Sequence, residues 1–393
     1  MKVLLLGGTG VFGKNTAGLL AREKQIMEIG LTSRNLEAAQ RAVLEVGDKA
    51  RAVRVDIEDI ARLSSIAGDY DIIANAAGPT SKVQVPALQA AIEAGVAYCD
   101  LGVGGTNAEK ALQLDTLARA RGVTAVIGTG WFAITSLMAV HATDQLDETE
   151  ELSVCMLFDY SPGTYYSPEP SLARTREQGR VETSWDDILE VYRGPVLMYR
   201  AGDWGRVEPR ENPVEVVHPS GYRITAYPVD SQEPLTLPRF LPGVKTVSTV
   251  LSLIPPPLNE LYLLQGQRIA KGETDHAKAA LAIMETAVAD KKRWLTSPPG
   301  YPSGWLMWVS ATGIKNGRRV SYMCWPAFYW DWTIVSFTVS ILRILRGQVT
   351  KHGVLPPEAC FKPASFFKDT EQYVRDEQRG KPLLAERFEW LEV

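Results

Sequence analysis

Cysteine is scarce. Only Cys99, Cys155, Cys324 and Cys360 occur in 393 residues, with no CxxC pair and no His/Cys cluster at metal-ligand spacing. That excludes a disulfide framework and the common zinc sites, and it points to reduced, buried thiols in a cytoplasmic protein. A basic surplus is missing too: 42 Lys and Arg face 46 Asp and Glu, a formal net charge of −4, so nucleic acid is not an expected partner. The opening apolar run Met1–Leu6 is too short for a signal peptide and breaks at once into glycines, which reads as a buried strand. There is no internal repeat, low-complexity run or linker. One segment approaches membrane length, Ala327–Leu345, but Asp331 interrupts it and Arg343 and Arg346 close it. Two readings follow, a packed core helix or an interfacial membrane helix.

What is present is a regular alternation. KVLLLGG, IMEIGLTSR, ARAVRVDI, YDIIANAAG, VAYCDLG and VTAVIGTG are short apolar runs, each separated from the next by a stretch with apolar residues at helical spacing. Repeated strand–helix units of this kind build a doubly wound parallel sheet, complete within the first 130 or so residues. After the turn at Gly128–Gly130 a helix follows whose N-terminus points back at the strand tips. Beyond about residue 150 the periodicity changes to mixed α+β. Strands are expected at ELSVCMLFDY, YRITAYPV, KTVSTVLSLI, GWLMWVSATG and RRVSYMCW, with an Asn316-Gly317 hairpin turn and an amphipathic helix from Asp275. GVLPPEACFKPASFF reads as a proline-bounded turn and EQYVRDEQRGKPLL as a last helix.

Gly7-Gly8-Thr9-Gly10-Val11-Phe12-Gly13 carries glycines at GxxGxxG spacing between an apolar strand and a helix. The first permits a tight turn, the second lets backbone N–H groups approach a pyrophosphate, and the third lets the helix pack on the strand. The second strand ends in Thr32-Ser33-Arg34 with no acid at its tip. An arginine there pairs a 2′-phosphate, whereas a carboxylate would favour the ribose hydroxyls of NAD, so NADP is the expected cofactor. Arg34 opening a solvent-side helix is the plainer alternative. Asp56 either contacts the adenine amine or belongs to a helix cap before Asp59. Asn75, Ala76, Ala77 and Gly78 end the fourth strand at the height of the nicotinamide ribose, where small residues leave room. There is no Tyr-x-x-x-Lys pair, which removes one well-known proton relay of nicotinamide enzymes.

The stretches at 71–79 (DIIANAAGP), 98–102 (YCDLG), 128–132 (GTGWF) and 353–358 (GVLPPE) resemble the saccharopine dehydrogenase-like family of NAD(P)-dependent oxidoreductases. The resemblance covers the first 140 residues well and the last forty moderately. It implies an α/β Rossmann fold with an inserted mixed α+β substrate and dimerisation domain. The expected boundaries are 1–140 plus about 347–393 for the NADP-binding domain and about 141–346 for the insertion. It also implies reduction of an imine C=N bond, or of an activated C=C bond of a lipid-like chain, by a homodimer. A non-catalytic cofactor sensor is the alternative from another class. Trp131-Phe132-Ala133-Ile134 departs from the family, where relatives acting on amino acids carry a Pro-Gly pair, and it points to a more apolar, small or medium substrate.

The resemblance places Asp100 and Tyr98 near the substrate. Asp100 is the first choice for handling a proton or binding a cationic nitrogen, against a helix-capping or hydrogen-bonded structural acid. Tyr98 either joins it or faces the core, Cys99 is core, and His141 lies inside a helix. Gly130, Trp131 and Phe132 are substrate-face candidates. Arg174 and Arg176, in the aromatic and cationic stretch 160–176, either bind a substrate carboxylate or belong to an exposed loop. The Trp-rich run 325–332 lines an apolar pocket, forms a dimer surface or packs the core.

Overall fold

Val3, Leu4, Leu5 and Leu6 are all fully shielded from solvent, as a strand must be when helices cover both faces of its sheet. The computed structural model describes residues 1–328 and 331–391. Its strands, in chain order, are β1 (Lys2–Leu6), β2 (Glu28–Ser33), β3 (Ala50–Arg54), β4 (Ile72–Asn75), β5 (Ala97–Asp100) and β6 (Thr124–Val126). There follow β7 (Glu148–Asp159), β8 (Val196–Arg200), β9 (Asp203–Val207), β10 (Val214–Val217), β11 (Arg223–Pro228) and β12 (Thr246–Ile254). The last four are β13 (Leu306–Lys315), β14 (Arg318–Pro326), β15 (Gly353–Leu355) and β16 (Leu384–Trp390).

The chain divides into two units, Met1–Leu137 with Trp330–Lys381, and Met138–Tyr329 with Pro382–Val393. In the first, seven parallel strands run in the order β3-β2-β1-β4-β5-β6-β15. This is a Rossmann-like α/β sheet, and its strand order reverses between β1 and β4, where such sheets bind ligands beyond the strand ends. The helix Trp332–Leu345 belongs here and packs against the helix Val11–Arg22. Arg343 at its far end is 7% exposed and paired with Asp369 at 2.8 Å, and it donates to Ser365 at 3.3 Å. The core-helix reading of 327–345 therefore fits the described part of that run, and no described helix is long and apolar enough to cross a membrane. Tyr329 and Trp330 lie outside the described residues.

The second unit contains a mixed sheet in the order β10-β11-β12-β7-β13-β14-β16, with β8 and β9 branching from β12. Only β12 and β7 pair in parallel along that path. Asn316 and Gly317 both adopt positive φ, 51° and 71°, and close the β13–β14 hairpin as an Asn-Gly turn should. Arg387 on the edge strand β16 donates to Pro219 O, in the turn between β10 and β11, at 3.2 Å. The two edges of the sheet are thus tied together, and its inner face forms a trough.

Four expectations need correction. The chain leaves the second unit before Trp332 rather than near residue 347, because a helix buried on nearly every side needs the first unit's core around it. GVL at 353–355 is the seventh parallel strand, paired with β6 in the register Gly353↔Thr124, and not part of a turn. The expected last helix is two short 3-10 turns, Glu371–Tyr373 and Asp376–Gln378, followed by β16, which joins the second sheet beside β14. Gly380 at φ 76° and Pro382, which lacks an N–H, interrupt any helix there. Finally, 168–178 is no exposed loop. Ser167-Pro168 opens a helix, Pro168–Gln178, that ends at the left-handed Gly179.

Candidate functional site

Gly7 turns the chain off β1 at φ 69°, and a methyl group there would stand 2.7 Å from Ala76 O in the turn after β4. Gly8 packs equally tightly on β2, where a methyl would meet the Leu31 Cα at 3.0 Å, and at Gly13 it would overlap Gly7 O. Gly10 differs: a methyl on it would meet only Gly7 O, at 3.4 Å. Three of these glycines are thus demanded by the protein's own backbone, while the bareness of Gly10 leaves room on the outside. Gly8, Gly10 and Gly13 also satisfy the strict GxGxxG spacing. The helix Val11–Arg22 begins at Gly10, which has no side chain to cap it, so its first N–H groups and dipole await an anion. Thr9 and Phe12 are half-buried beside this turn and Val11 is 60% exposed.

At the tip of β2, Ser33 Oγ accepts from the Asn35 N–H at 3.1 Å, and Asn35 caps the helix Leu36–Val46 through the Glu37 and Ala38 N–H groups. Capping falls to Asn35, not to Arg34. Arg34 is exposed and, among the described residues, has no ion pair or hydrogen bond. Asp56 is exposed and accepts from Glu58 N–H at 3.2 Å, while Asp59 caps the next helix. A second exposed cation was missed from the sequence. Arg54 is the register partner of Ser33 across β2–β3 and is likewise unpaired among the described residues. It lies in ARAVRVDI, but nothing in the sequence gives the pairing register that brings it beside Ser33.

The tips of β4, β5 and β6 contrast with this. Asn75 is buried, accepts from Ala77 N–H at 3.0 Å and approaches Tyr98 Oη at 3.4 Å. Ala76 and Ala77 are half-buried and Gly78 is exposed. Asp100 is 1% exposed, and four donors fill its carboxylate. Gly102 N–H (2.8 Å) and Gly128 N–H (2.7 Å) reach Oδ1, and Gln84 Nε2 (2.9 Å) and Tyr98 Oη (2.8 Å) reach Oδ2. Burial raises the carboxyl's pKa above its ordinary value, opposed by the four bonds. Tyr98 is fully buried and its phenol is pushed well up, first by burial and then by Asp100. A carboxylate offers about four acceptor sites, so Asp100 has none left for a substrate. In this structure the two expected proton-handling groups form a buried tie between segments, the arrangement of a hydrogen-bonded structural acid. Gln84 had no signal of its own in the sequence, and Gly102 was visible there only as the end of YCDLG.

The remaining candidates divide similarly. Gly130 is buried, with Leu101 Cδ2 2.9 Å from where a methyl would lie, and its carbonyl accepts from Ser336 Oγ at 2.7 Å. Phe132 is buried in the core, so neither it nor Gly130 forms an exposed face, while Trp131 is half-buried and sits edge-on to Phe132. Arg174 is occupied. It contacts both Glu182 oxygens at 3.1 and 3.2 Å, donates to Tyr165 O at 2.9 Å and lies 3.9 Å above the Tyr165 ring. Its pairing in this structure is with Glu182 and Tyr165. Arg176 is exposed, 4.0 Å from Glu285. His141 pairs with Glu386 at 2.8 Å, and among the described residues no group of His, Cys, Asp and Glu is arranged for a metal.

Residues 3–126 match the family profile described as Saccharopine dehydrogenase NADP binding domain. Among solved structures, the chain is similar to apo saccharopine dehydrogenase (L-Glu forming) from Saccharomyces cerevisiae, at 14% identity and a TM-score of 0.64. That alignment covers 98% of this chain and 99% of the yeast one. Amine dehydrogenase from Mycobacterium smegmatis aligns at 12% identity and a TM-score of 0.46, over 91% and 95% of the two chains. GenD2 from gentamicin A biosynthesis, in complex with NAD, aligns at 12% identity and a TM-score of 0.43, over 100% and 97%. A search of curated protein sequences returns no match.

Proposed function

We propose that this chain is a saccharopine dehydrogenase-like oxidoreductase with a nicotinamide dinucleotide site and, within that group, an NADPH-dependent reductase of a C=N bond. Its substrate on this reading is a small or medium, partly apolar metabolite. The observation that carries the cofactor preference is Arg34, an exposed guanidinium without a partner among the described residues, at the tip of β2 beside Ser33 and with Arg54 one strand away. A 2′-phosphate supplies the dianion that these cations lack. The turn from Gly7 to Gly13 would hold the pyrophosphate on the uncapped N-terminus of the helix Val11–Arg22. The turn after β4, from Asn75 to Gly78, would bound the nicotinamide half.

When bound, the cofactor supplies the hydride, and the chain's task is to orient the acceptor and exclude water. Hydride addition to the carbon of a protonated imine yields the amine with no further proton at carbon. Reduction of a C=C bond needs a proton donor at the second carbon. With Asp100 and Tyr98 buried and fully engaged, the C=N reaction asks for less of what the strand tips lack. Half-buried Trp131, at the start of the helix after β6, supports a partly apolar substrate.

Fluorescence titration tests the cofactor. NADPH is expected to bind at least about tenfold tighter than NADH, a difference of roughly 1.4 kcal/mol, and equal affinities would overturn the preference. Loss of NADPH absorbance with a cyclic imine, and not with an unsaturated ketone of matched size, supports the C=N reading. The opposite pattern selects C=C reduction, and turnover of neither favours a cofactor sensor.

A further inference from the structure

The trough of the second unit holds a feature that the cofactor chemistry does not use. Register places three rows of side chains on its inner face. Thr246, Glu151, Thr312, Ser321 and Glu389 form the first, and Ser248, Ser153, Ser310, Met323 and Arg387 the second. Val250, Cys155 and Trp308 form the third, with Trp325 packed against it. Polarity therefore falls along the strands, from hydroxyls and charges to an apolar cluster that continues into Leu157, Ile224 and Ile254. Where the rows change character lies a cavity of about 210 Å³, roofed by Val216 and Val217 of β10.

Two of its lining groups have unused hydrogen-bonding capacity. Trp308 is 1% exposed and its indole N–H has no acceptor among the described residues, a cost of roughly 1–3 kcal/mol for a buried donor. Half-buried Arg387 touches only Pro219 O and, at 3.9 Å, Met323 Sδ, and no carboxylate pairs with it among the described residues. Glu215, at the rim, is already paired with Arg223. The lining is mixed: Val216, Val217, Met323 and Trp308 make an apolar side, while three serines and the carboxylates of Glu215 and Glu389 lie on the polar side with Arg387. The buried donor and the unneutralised cation together suit an apolar body carrying an anionic acceptor. The cavity is smaller than drug-sized sites of roughly 300–1,000 Å³, so the occupant is small.

We propose that this trough is a second binding site, distinct from the nicotinamide site, for a medium-chain monocarboxylate whose head meets Arg387 and the Trp308 N–H while its chain lies on Val216, Val217 and Met323. Calorimetric titration of the full chain with octanoate and with 1-octanol tests it. One octanoate per chain is expected, with octanol at least about tenfold weaker because it cannot pair the guanidinium. Arg387→Gln should weaken octanoate about tenfold and leave octanol unchanged, and Trp308→Phe, which keeps the ring and removes the donor, should weaken octanoate several-fold. NADPH affinity, measured on the same samples, should not move, and each variant should keep a cooperative thermal transition, which separates loss of this site from misfolding or from failure of the cofactor reading. The proposal is overturned if wild type binds no octanoate at millimolar concentration, or if both variants bind it like wild type. It is also overturned if light scattering shows a dimer that Arg387→Glu dissociates, since a second copy of the chain would then cover the trough.

Discussion

Two ends of one row of strand tips behave oppositely. At β1 and β2 the chain leaves capacity unused: the N–H groups at the start of the helix Val11–Arg22 have no capping side chain, and Arg34 has no partner among the described residues. At β5 and β6 it leaves almost none, since both oxygens of Asp100 are taken by Gly102, Gly128, Gln84 and Tyr98. A folded chain rarely abandons polar groups without a reason. Unsatisfied donors at a surface turn are ready for a ligand, whereas a saturated buried acid holds segments together. Residue type alone would rank the two the other way, because an aspartate in a cleft looks more reactive than an arginine at a strand end.

Filling the space at the open end should have the largest effect on cofactor binding. Gly13→Val puts carbon atoms where Gly7 O stands, so the helix must leave the turn. NADPH affinity is expected to fall at least about a hundredfold, roughly 2.7 kcal/mol by titration, with overpacking costing about 1–3 kcal/mol of stability in urea. Retained affinity would mean that the glycine turn does not hold the cofactor.

At the closed end, Asp100→Ala strands several donors in the interior and should cost about 3–5 kcal/mol, read from urea unfolding. Asp100→Asn should be far milder. Its oxygen can still accept the two backbone bonds, and Gln84 Oε1, which has no partner now, can turn to accept from the new amide. The pH dependence separates the variants. Burial raises the Asp100 pKa above its ordinary 3.8, so between these values the folded state holds more protons than the unfolded one. The corresponding stability is fully present below pH 3.8 and is lost as pH rises through the folded pKa. Melting temperatures of wild type should show that decline relative to Asp100→Asn, which cannot titrate. Parallel curves would show that the carboxylate is not desolvated as its burial implies.

Arg34→Ala comes next. Loss of one charge-assisted contact of about 1.5–3 kcal/mol should weaken NADPH roughly ten- to a hundredfold and leave NADH unchanged. A residual preference for NADPH in this variant, removed by adding Arg54→Ala, would assign the rest to the neighbouring strand. If Arg34→Ala weakens both cofactors equally, the residue supports the turn and does not read the phosphate.

What could be read from the sequence was local. The glycine turn, the alternating strands, the uncovered tip at Ser33-Arg34 and the Asn316-Gly317 hairpin each declare themselves within a few residues, because their cause is a φ angle, a missing side chain or a period. Arg54 and the Asp100 tie did not. The donors to Asp100 come from residues 84, 98, 102 and 128, and the proximity of Arg54 to Ser33 depends on strand register. The tail shows the same limit. LAERFEW at 384–390 has too much charge to look like a strand, and becomes one only because β14 offers a free edge.

Arg174 supplies the gentlest test of the contrast, since it is a cation that looked free in the sequence and is saturated in the fold. Glu182 holds it through two contacts, and both side chains remain about one-fifth exposed, so solvent screens the pair. Arg174→Ala should cost about 1–2 kcal/mol, which includes its stacking on Tyr165. Glu182→Ala should cost a similar amount, and the double variant little more than either, because each single change already breaks the shared contact. Additive losses in urea unfolding would show that the two residues act separately. An Arg174 that serves a substrate carboxylate predicts a different outcome: removing Glu182 would free the guanidinium, and KM for an anionic substrate would fall. A non-additive cycle with unchanged KM would place Arg174 with Asp100 among the groups whose bonding is already complete.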